Sequence, residues 1–148
     1  HPRIMVSSDD LDNPAYLQLI EETGCLVAMD DLDTGSRYFT GNADTSIEDP
    51  AYAIAKNYVT RPSSPNMYPW ESGVQQVMDW IKDYKIDGVI DLPQMNCVAR
   101  LFRVPYLRDE LKKEGIPSIS IKREYHLASA GQLKTRIGAF VEMLGDET

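Results

Sequence analysis

The sequence predicts an α/β domain: an open, four-stranded parallel sheet flanked by helices, Rossmann-like or flavodoxin-like, in strand order 2-1-3-4. Three observations carry that expectation. Short, continuous apolar runs recur at RIMVS (3–7), CLVAM (25–29), VIDL (89–92) and PSISI (117–121). Between them lie longer segments whose apolar residues fall at helical spacing. The two kinds alternate as β-α-β-(α-α)-β-α-β-α, an order that implies parallel strands joined by right-handed crossovers.

Each element follows from local chemistry. Strands are expected at about 3–8, 25–30, 88–92 and 117–122. Asn13-Pro14 reads as the cap and first residue of a helix that Gly24 closes. Residues 30–47 are rich in Asp, Gly, Ser and Thr and read as a long loop. Asp49–Val59 reads as a helix with Pro50 at its first position, and 61–69, with three prolines, as a connector. Trp70–Tyr84 places Val74, Val77, Met78 and Ile81 on one helical face. Asp87-Gly88 starts the third strand, which Pro93 ends, and Gln94–Ala99 reads as loop. A helix is expected over Tyr106–Glu114, closed by Gly115, and a last one over Gly131–Leu144, stopped by Gly145.

Length and charge bound the function. The 148 residues, 43% hydrophobic and 26% charged, suit one globular domain and not a disordered tail or coiled coil. A net charge of −8 repels phosphate backbones, which argues against nucleic acid. There is no apolar stretch of membrane-spanning length and no basic run for an anionic membrane. Cys25 and Cys97 alone do not make a secreted disulfide framework, so a reducing cytoplasm is expected. The chain opens His1-Pro2 without an initiator Met and is read as a piece of a longer polypeptide.

In open parallel sheets, chemistry sits beyond the carboxyl ends of the strands, here 8–13, 30–47, 93–100 and 122–130. The segment after the first strand, SSDDLDNP, holds no glycine, which excludes a dinucleotide fingerprint and a Walker A loop. Asp9, Asp10 and Asp91 suggest a receiver-like carboxylate cluster. Asp10 and Asp91 lie too far apart in sequence for one β-α unit, however, so Asp9, Asp10 and Asp12 read as turn and cap residues. His126 stands without the partners of a zinc site, and no G-x-S-x-G elbow is present. Cys97 differs from these. It follows the third strand at the ligand edge, in a polar loop, whereas Cys25 starts a strand and reads as a core packer. One thiol does not hold an iron–sulfur cluster, so any cluster needs ligands from outside this chain.

DDLDTGSRYF (30–39), IDGVIDLPQMNC (86–97) with the IP at 116–117, and GQLKTRIGAFVEML (131–144), in this order, resemble the carboxy-terminal domain of the 2-hydroxyacyl-CoA dehydratase and benzoyl-CoA reductase family. EDPAYAIAKNYVTRP (48–62) resembles that family's insertion. The resemblance implies that residues 1–148 are one α/β domain, the carboxy-terminal one of a longer subunit. It implies a 4Fe–4S cluster with Cys97 as the one ligand given by this domain. It also implies a second subunit, an ATP-dependent iron–sulfur activator and an acyl-CoA substrate, dehydrated or reduced after one-electron reduction. A departure is RPSSP (61–65), where relatives carry cysteines.

Arg37 and Tyr38 fall at the same edge as Cys97 and are candidates to line a substrate crevice or bind CoA phosphates; local loop packing is the other reading. Gln132, Thr135 and Arg136 begin the last helix and either meet the cluster region or form a solvated face. A non-catalytic α/β binding or receiver-like module is the rival of a different class.

Overall fold

In a computed structural model, the described residues are 1–61, 64–124, 126–127 and 130–146. They form one parallel sheet in the order β2-β1-β3-β4. The strands are β1 (Arg3–Ser8), β2 (Leu26–Asp31), β3 (Gly88–Leu92) and β4 (Ser118–Ser120). The helices are α1 (Ala15–Glu21), α2 (Ser36–Phe39), α3 (Pro50–Thr60), α4 (Glu71–Asp83), α5 (Val98–Lys113) and α6 (Ala130–Asp146).

Side chains alternate across the sheet and make two cores. On one face Ile4, Val6, Ile90 and Leu92 meet Tyr16, Leu19 and Ile20 of α1 and Leu133, Ile137, Phe140 and Leu144 of α6. On the other, Met5, Met29 and Val89 meet Val74, Val77 and Ile81 of α4 and Leu107 and Leu111 of α5. β3 is buried along its whole length, as a central strand must be. Gly88 gives close packing at its start: a Cβ there would lie 2.8 Å from Leu144 Cδ1 and 3.0 Å from Phe140 Cζ, so these side chains would have to shift.

The cap of α3 acts as the sequence expects, whereas α1 starts one residue later than expected, with Pro14 and not Asn13 as its N-cap. Asn13 Oδ1 accepts from the Ala15 N–H at 3.0 Å, and Asp49 Oδ1 from the Ala51 N–H at 2.9 Å with Pro50 first in α3. Gly24 and Gly115 take φ of +97° and +70° after α1 and α5, the left-handed region that glycine enters freely.

Four expectations need correction. β2 runs on through Asp30 and Asp31, so the loop begins later, and it folds a short helix, α2, at its centre. Asp30 builds that helix: its carboxylate accepts from the Ser36 N–H and hydroxyl, both at 2.8 Å. β4 has three residues, shorter than 117–122. Gly145 lies inside α6 and does not stop it.

The largest difference is α5. It begins at Val98 and passes through Pro105, whereas Gln94–Ala99 reads as loop in the sequence and the helix as starting after that proline. An interior proline costs roughly 3 kcal/mol. The turns before the proline are tied to the sheet by polar groups: Arg100 and Arg103 are both buried and ion-paired.

Candidate functional site at the carboxyl edge of the sheet

The register sets a polar row across the sheet, one level below the carboxyl edge. Ser7 of β1 is paired with Asp31 of β2 on one side and Asp91 of β3 on the other, and Asp91 with Ser120 of β4. The row lies on the α4/α5 face, since Ser7 and Asp91 follow Met5 and Val89 by two residues. A buried carboxylate needs a paired cation and further hydrogen bonds. Three arginines provide them.

Arg37 of α2 donates through Nε to Asp31 Oδ1 and through Nη2 to the Gly73 carbonyl at 3.0 Å, with its guanidinium 5.2 Å from the Trp80 ring centroid. Arg103 donates to Asp31 Oδ2 at 3.2 Å, and Ser7 Oγ donates to the same oxygen at 2.6 Å. Arg100 Nη2 donates to Ser7 Oγ at 2.6 Å and to Asp91 Oδ1; Ser120 Oγ donates to Asp91 Oδ2 at 3.0 Å. Ser7 thereby joins the two ion pairs into one network.

The charges do not cancel. Three guanidiniums face two carboxylates, and Arg100 Nε, Arg100 Nη1 and Arg103 Nη1 find no acceptor among the described residues. Burial alone would raise the Asp31 carboxyl, but Arg103, Arg37, Arg100 and the Ser7 hydroxyl overcome it and hold it at about 2 against an ordinary 3.8. Burial, with the charges of Arg100 and Arg37, brings Arg103 down to about 10 against the pull of Asp31. It stays protonated at neutral pH.

A pH dependence follows, with its sign. Asp31 has a lower pKa folded than unfolded, so its ionised form stabilises the fold by about 2 kcal/mol above the ordinary carboxylate pKa. That contribution is lost as pH falls from about 4 through about 2. Urea unfolding of the chain at pH 6 and at pH 2.5 should show this loss in the native sequence and not in Asp31→Asn. Equal acid slopes would place the titration elsewhere.

On the opposite face of the same edge, Arg123 plugs the point where the chain leaves β1 and β3 in opposite directions. It donates to Asp9 Oδ1 at 2.8 Å, to Ser8 Oγ at 3.4 Å and to the Asp10 carbonyl, and lies 5.7 Å from the Tyr16 ring centroid. Asp9 is thus more than a turn residue. Two of the three carboxylates of the receiver-like reading, Asp9 and Asp91, are engaged by guanidiniums, while Asp10 meets Arg123 through its backbone carbonyl.

Cys97 sits at the N-cap of α5, four residues past Pro93, partly exposed and outside both apolar cores. Its neighbours Met95, Val98 and Phe102 are exposed, the last two at 65% and 68%. Cys25 lies at the amino end of the sheet, buried, its thiol donating to the Ile20 carbonyl at 3.3 Å. Tyr38 is 66% exposed, while Arg37 beside it is turned inward. Asp33, Tyr38, Tyr58, Arg61, Ser64 and Met67, with Arg37, line a cleft of about 300 Å³ between α2 and α3. Gln132, Thr135 and Arg136 are exposed on α6; Gln132 and Arg136 border a smaller cleft of about 80 Å³ with Tyr16, Lys122 and Arg123. Of RPSSP, Pro62 and Ser63 lie outside the described residues.

The sequence profile of a known family, described as 2-hydroxyglutaryl-CoA dehydratase, D-component, matches residues 1–144. This chain belongs to that family. Three relatives are similar along almost all of it. YjiM of Escherichia coli (strain K12), which carries a provisional name as a dehydratase subunit, is 27% identical over 97% of this chain. The (R)-phenyllactyl-CoA dehydratase beta subunit of Clostridium sporogenes is 25% identical over 96% of it. The (R)-2-hydroxyglutaryl-CoA dehydratase subunit beta of Acidaminococcus fermentans is 23% identical over 96% of it. The chain spans 38% of the length of each relative.

Two of the segments that resemble the family meet at this edge. The first supplies Asp31 and Arg37 and the second Asp91 and Cys97. As donors for a 4Fe–4S cluster the residues fit in part. Cys97 offers one thiol at an accessible edge, Cys25 is buried at the far end, and no three His, Cys, Asp or Glu groups converge among the described residues. The chain could supply one corner of such a cluster, and the other thiolates would have to come from elsewhere. No helix of the described residues is long and apolar enough to cross a membrane.

Proposed function

We propose that this chain is the carboxy-terminal, cluster-bearing domain of a 2-hydroxyacyl-CoA dehydratase-like subunit that converts a 2-hydroxyacyl-CoA to an enoyl-CoA and water. The family match across residues 1–144 carries the reading. Cys97, at the edge where open parallel sheets bind ligands, gives it a chemical centre. A bound cluster would supply the single electron that such a dehydration needs, and because loss of water is redox-neutral in the substrate, that electron would not be consumed.

This chain's own residues have a narrower task. Cys97 provides one thiolate. Met95, Val98 and Phe102, close to it in sequence, are exposed apolar side chains that a neighbouring domain can cover, which would keep water from the reacting atoms. Tyr38 and Arg61 at the α2/α3 cleft, and Gln132 and Arg136 on α6, are the polar groups available to substrate or to that domain. Arg37 contributes from below, by holding Asp31. The partners in this reading are a second subunit and an ATP-dependent activator that delivers the electron.

The test compares two preparations made without oxygen. The full-length subunit with its partner should contain iron and acid-labile sulfide and, given activator and ATP, dehydrate a 2-hydroxyacyl-CoA. The 148-residue chain alone should fold, because both faces of its sheet are covered, and bind no iron. A monomeric preparation of the chain with a 4Fe–4S signal would overturn the shared-ligand reading. Ring reduction without dehydration would move the protein to the benzoyl-CoA reductase side.

A further inference from the structure

Given the reading of Cys97 as a cluster ligand, we propose that Arg100 is a positioning residue: its buried guanidinium fixes the first turn of α5, and with it the Cys97 thiol, against the sheet.

The loop that presents Cys97 is held from two sides. On its entry side, the Met95 N–H donates to the Arg123 carbonyl at 2.8 Å, the Arg123 N–H to the Pro93 carbonyl at 3.0 Å, and the Cys97 N–H to the Gln94 carbonyl at 3.1 Å. Asn96, at φ +70°, makes the turn in the left-handed region that Asn tolerates. On its exit side, the Leu101 N–H donates to the Cys97 carbonyl at 2.9 Å, and the next restraint is the Arg100 side chain. Arg100 is 0% exposed and bonded to Ser7 of β1 and Asp91 of β3, the two central strands.

Pro105 makes that restraint matter. It has no N–H to return to the Leu101 carbonyl, so one bond linking the front turn to the rest of α5 is missing. The apolar anchors Leu107 and Leu111 lie beyond the proline. Before it, the buried residues of α5 are Arg100 and Arg103, and Arg100 is the nearer to Cys97. A hydrophobic side chain would bury as well but could slide. A guanidinium bonded to two strands fixes a distance and an orientation.

The experiment uses the full-length protein, purified anaerobically, in four forms. Arg100→Lys keeps the charge and loses the forked geometry. Arg100→Met with Asp91→Asn removes both charges, so that neither is left buried alone, and carries the comparison should Arg100→Lys fail to fold. Gly88→Ala loosens the opposite end of β3 and controls for stability loss as such. Cys97→Ser tests the ligand reading separately.

Two quantities besides turnover are read: iron retained under chelator challenge, and the iodoacetamide alkylation rate of Cys97 in iron-stripped protein, relative to Cys25. Both Arg100 forms should lose iron about 10-fold faster, the usual scale for groups that orient a ligand. They should also alkylate Cys97 faster, while Gly88→Ala with a matched fall in thermal midpoint changes neither. If the Arg100 forms lower only the thermal midpoint, Arg100 is a stabilising residue and the proposal fails. If Cys97→Ser keeps its iron, the ligand reading fails, while the alkylation comparison still decides whether Arg100 positions the thiol.

Discussion

Cys97→Ser in the full-length protein should abolish cluster iron and turnover together, and in the 148-residue chain alone it should leave the thermal midpoint close to that of the native sequence. The reason is location. Cys97 caps α5 through its backbone, makes no side-chain cap bond and belongs to neither apolar core, so replacing sulfur by oxygen removes little packing. A serine hydroxyl is not a thiolate at neutral pH and does not replace a soft ligand to iron. Cys25→Ser is the contrasting variant. Its hydroxyl keeps the bond to the Ile20 carbonyl but enters an apolar core, so it should cost on the order of 1–3 kcal/mol of stability and spare the iron. Iron and sulfide content, EPR of the reduced protein and a thermal melt read all three outcomes. Native iron content and turnover in Cys97→Ser would remove Cys97 from the site.

The fold was legible because its signals are short-range. Apolar runs, Asp49 as a cap, and Gly24 and Gly115 as helix ends act over a few residues and stand where the pattern puts them, and Asn13 accepts from the first turn of α1 although Pro14 is its N-cap. The edge position of Cys97 follows from the same reasoning, since Pro93 ends a central strand. The ion network was not legible in the same way. Arg100 and Arg103 lie at helical spacing, but they fall ahead of the helix expected over Tyr106–Glu114, and nothing local marks them as buried. Their burial depends on carboxylates distant in the chain, Asp91 and Asp31. A signal was present: acids stand within one residue of the ends of three apolar strands, as Asp9, Asp31 and Asp91. An acid ending a buried strand demands a buried cation, and two arginines in a row of apolar helix positions can answer that demand. Arg37 shows the other limit. Its loop position suggested a group reaching outward to phosphate, whereas the short helix that Asp30 builds turns it down onto Asp31.

Asp31→Ala should be the most destabilising single change at this edge, at about 3–5 kcal/mol, because it removes one partner of a buried ion pair and leaves the other. Asp31 is 0% exposed and is the shared acceptor of Arg37, Arg103 and Ser7. Without it, Asp91 alone faces three guanidiniums that already exceed their acceptors. Against a total stability of roughly 5–15 kcal/mol, that loss brings the chain near its unfolding threshold. Asp31→Ala with Arg103→Leu should recover part of it, since the double change takes out an uncompensated charge along with its partner; close neighbours of this kind are non-additive by roughly 0.5–3 kcal/mol. Urea unfolding of the four sequences in the cycle reads the coupling directly. If Asp31→Ala costs less than about 1 kcal/mol, the scale of an exposed pair, then the network is not sealed from water as its burial indicates.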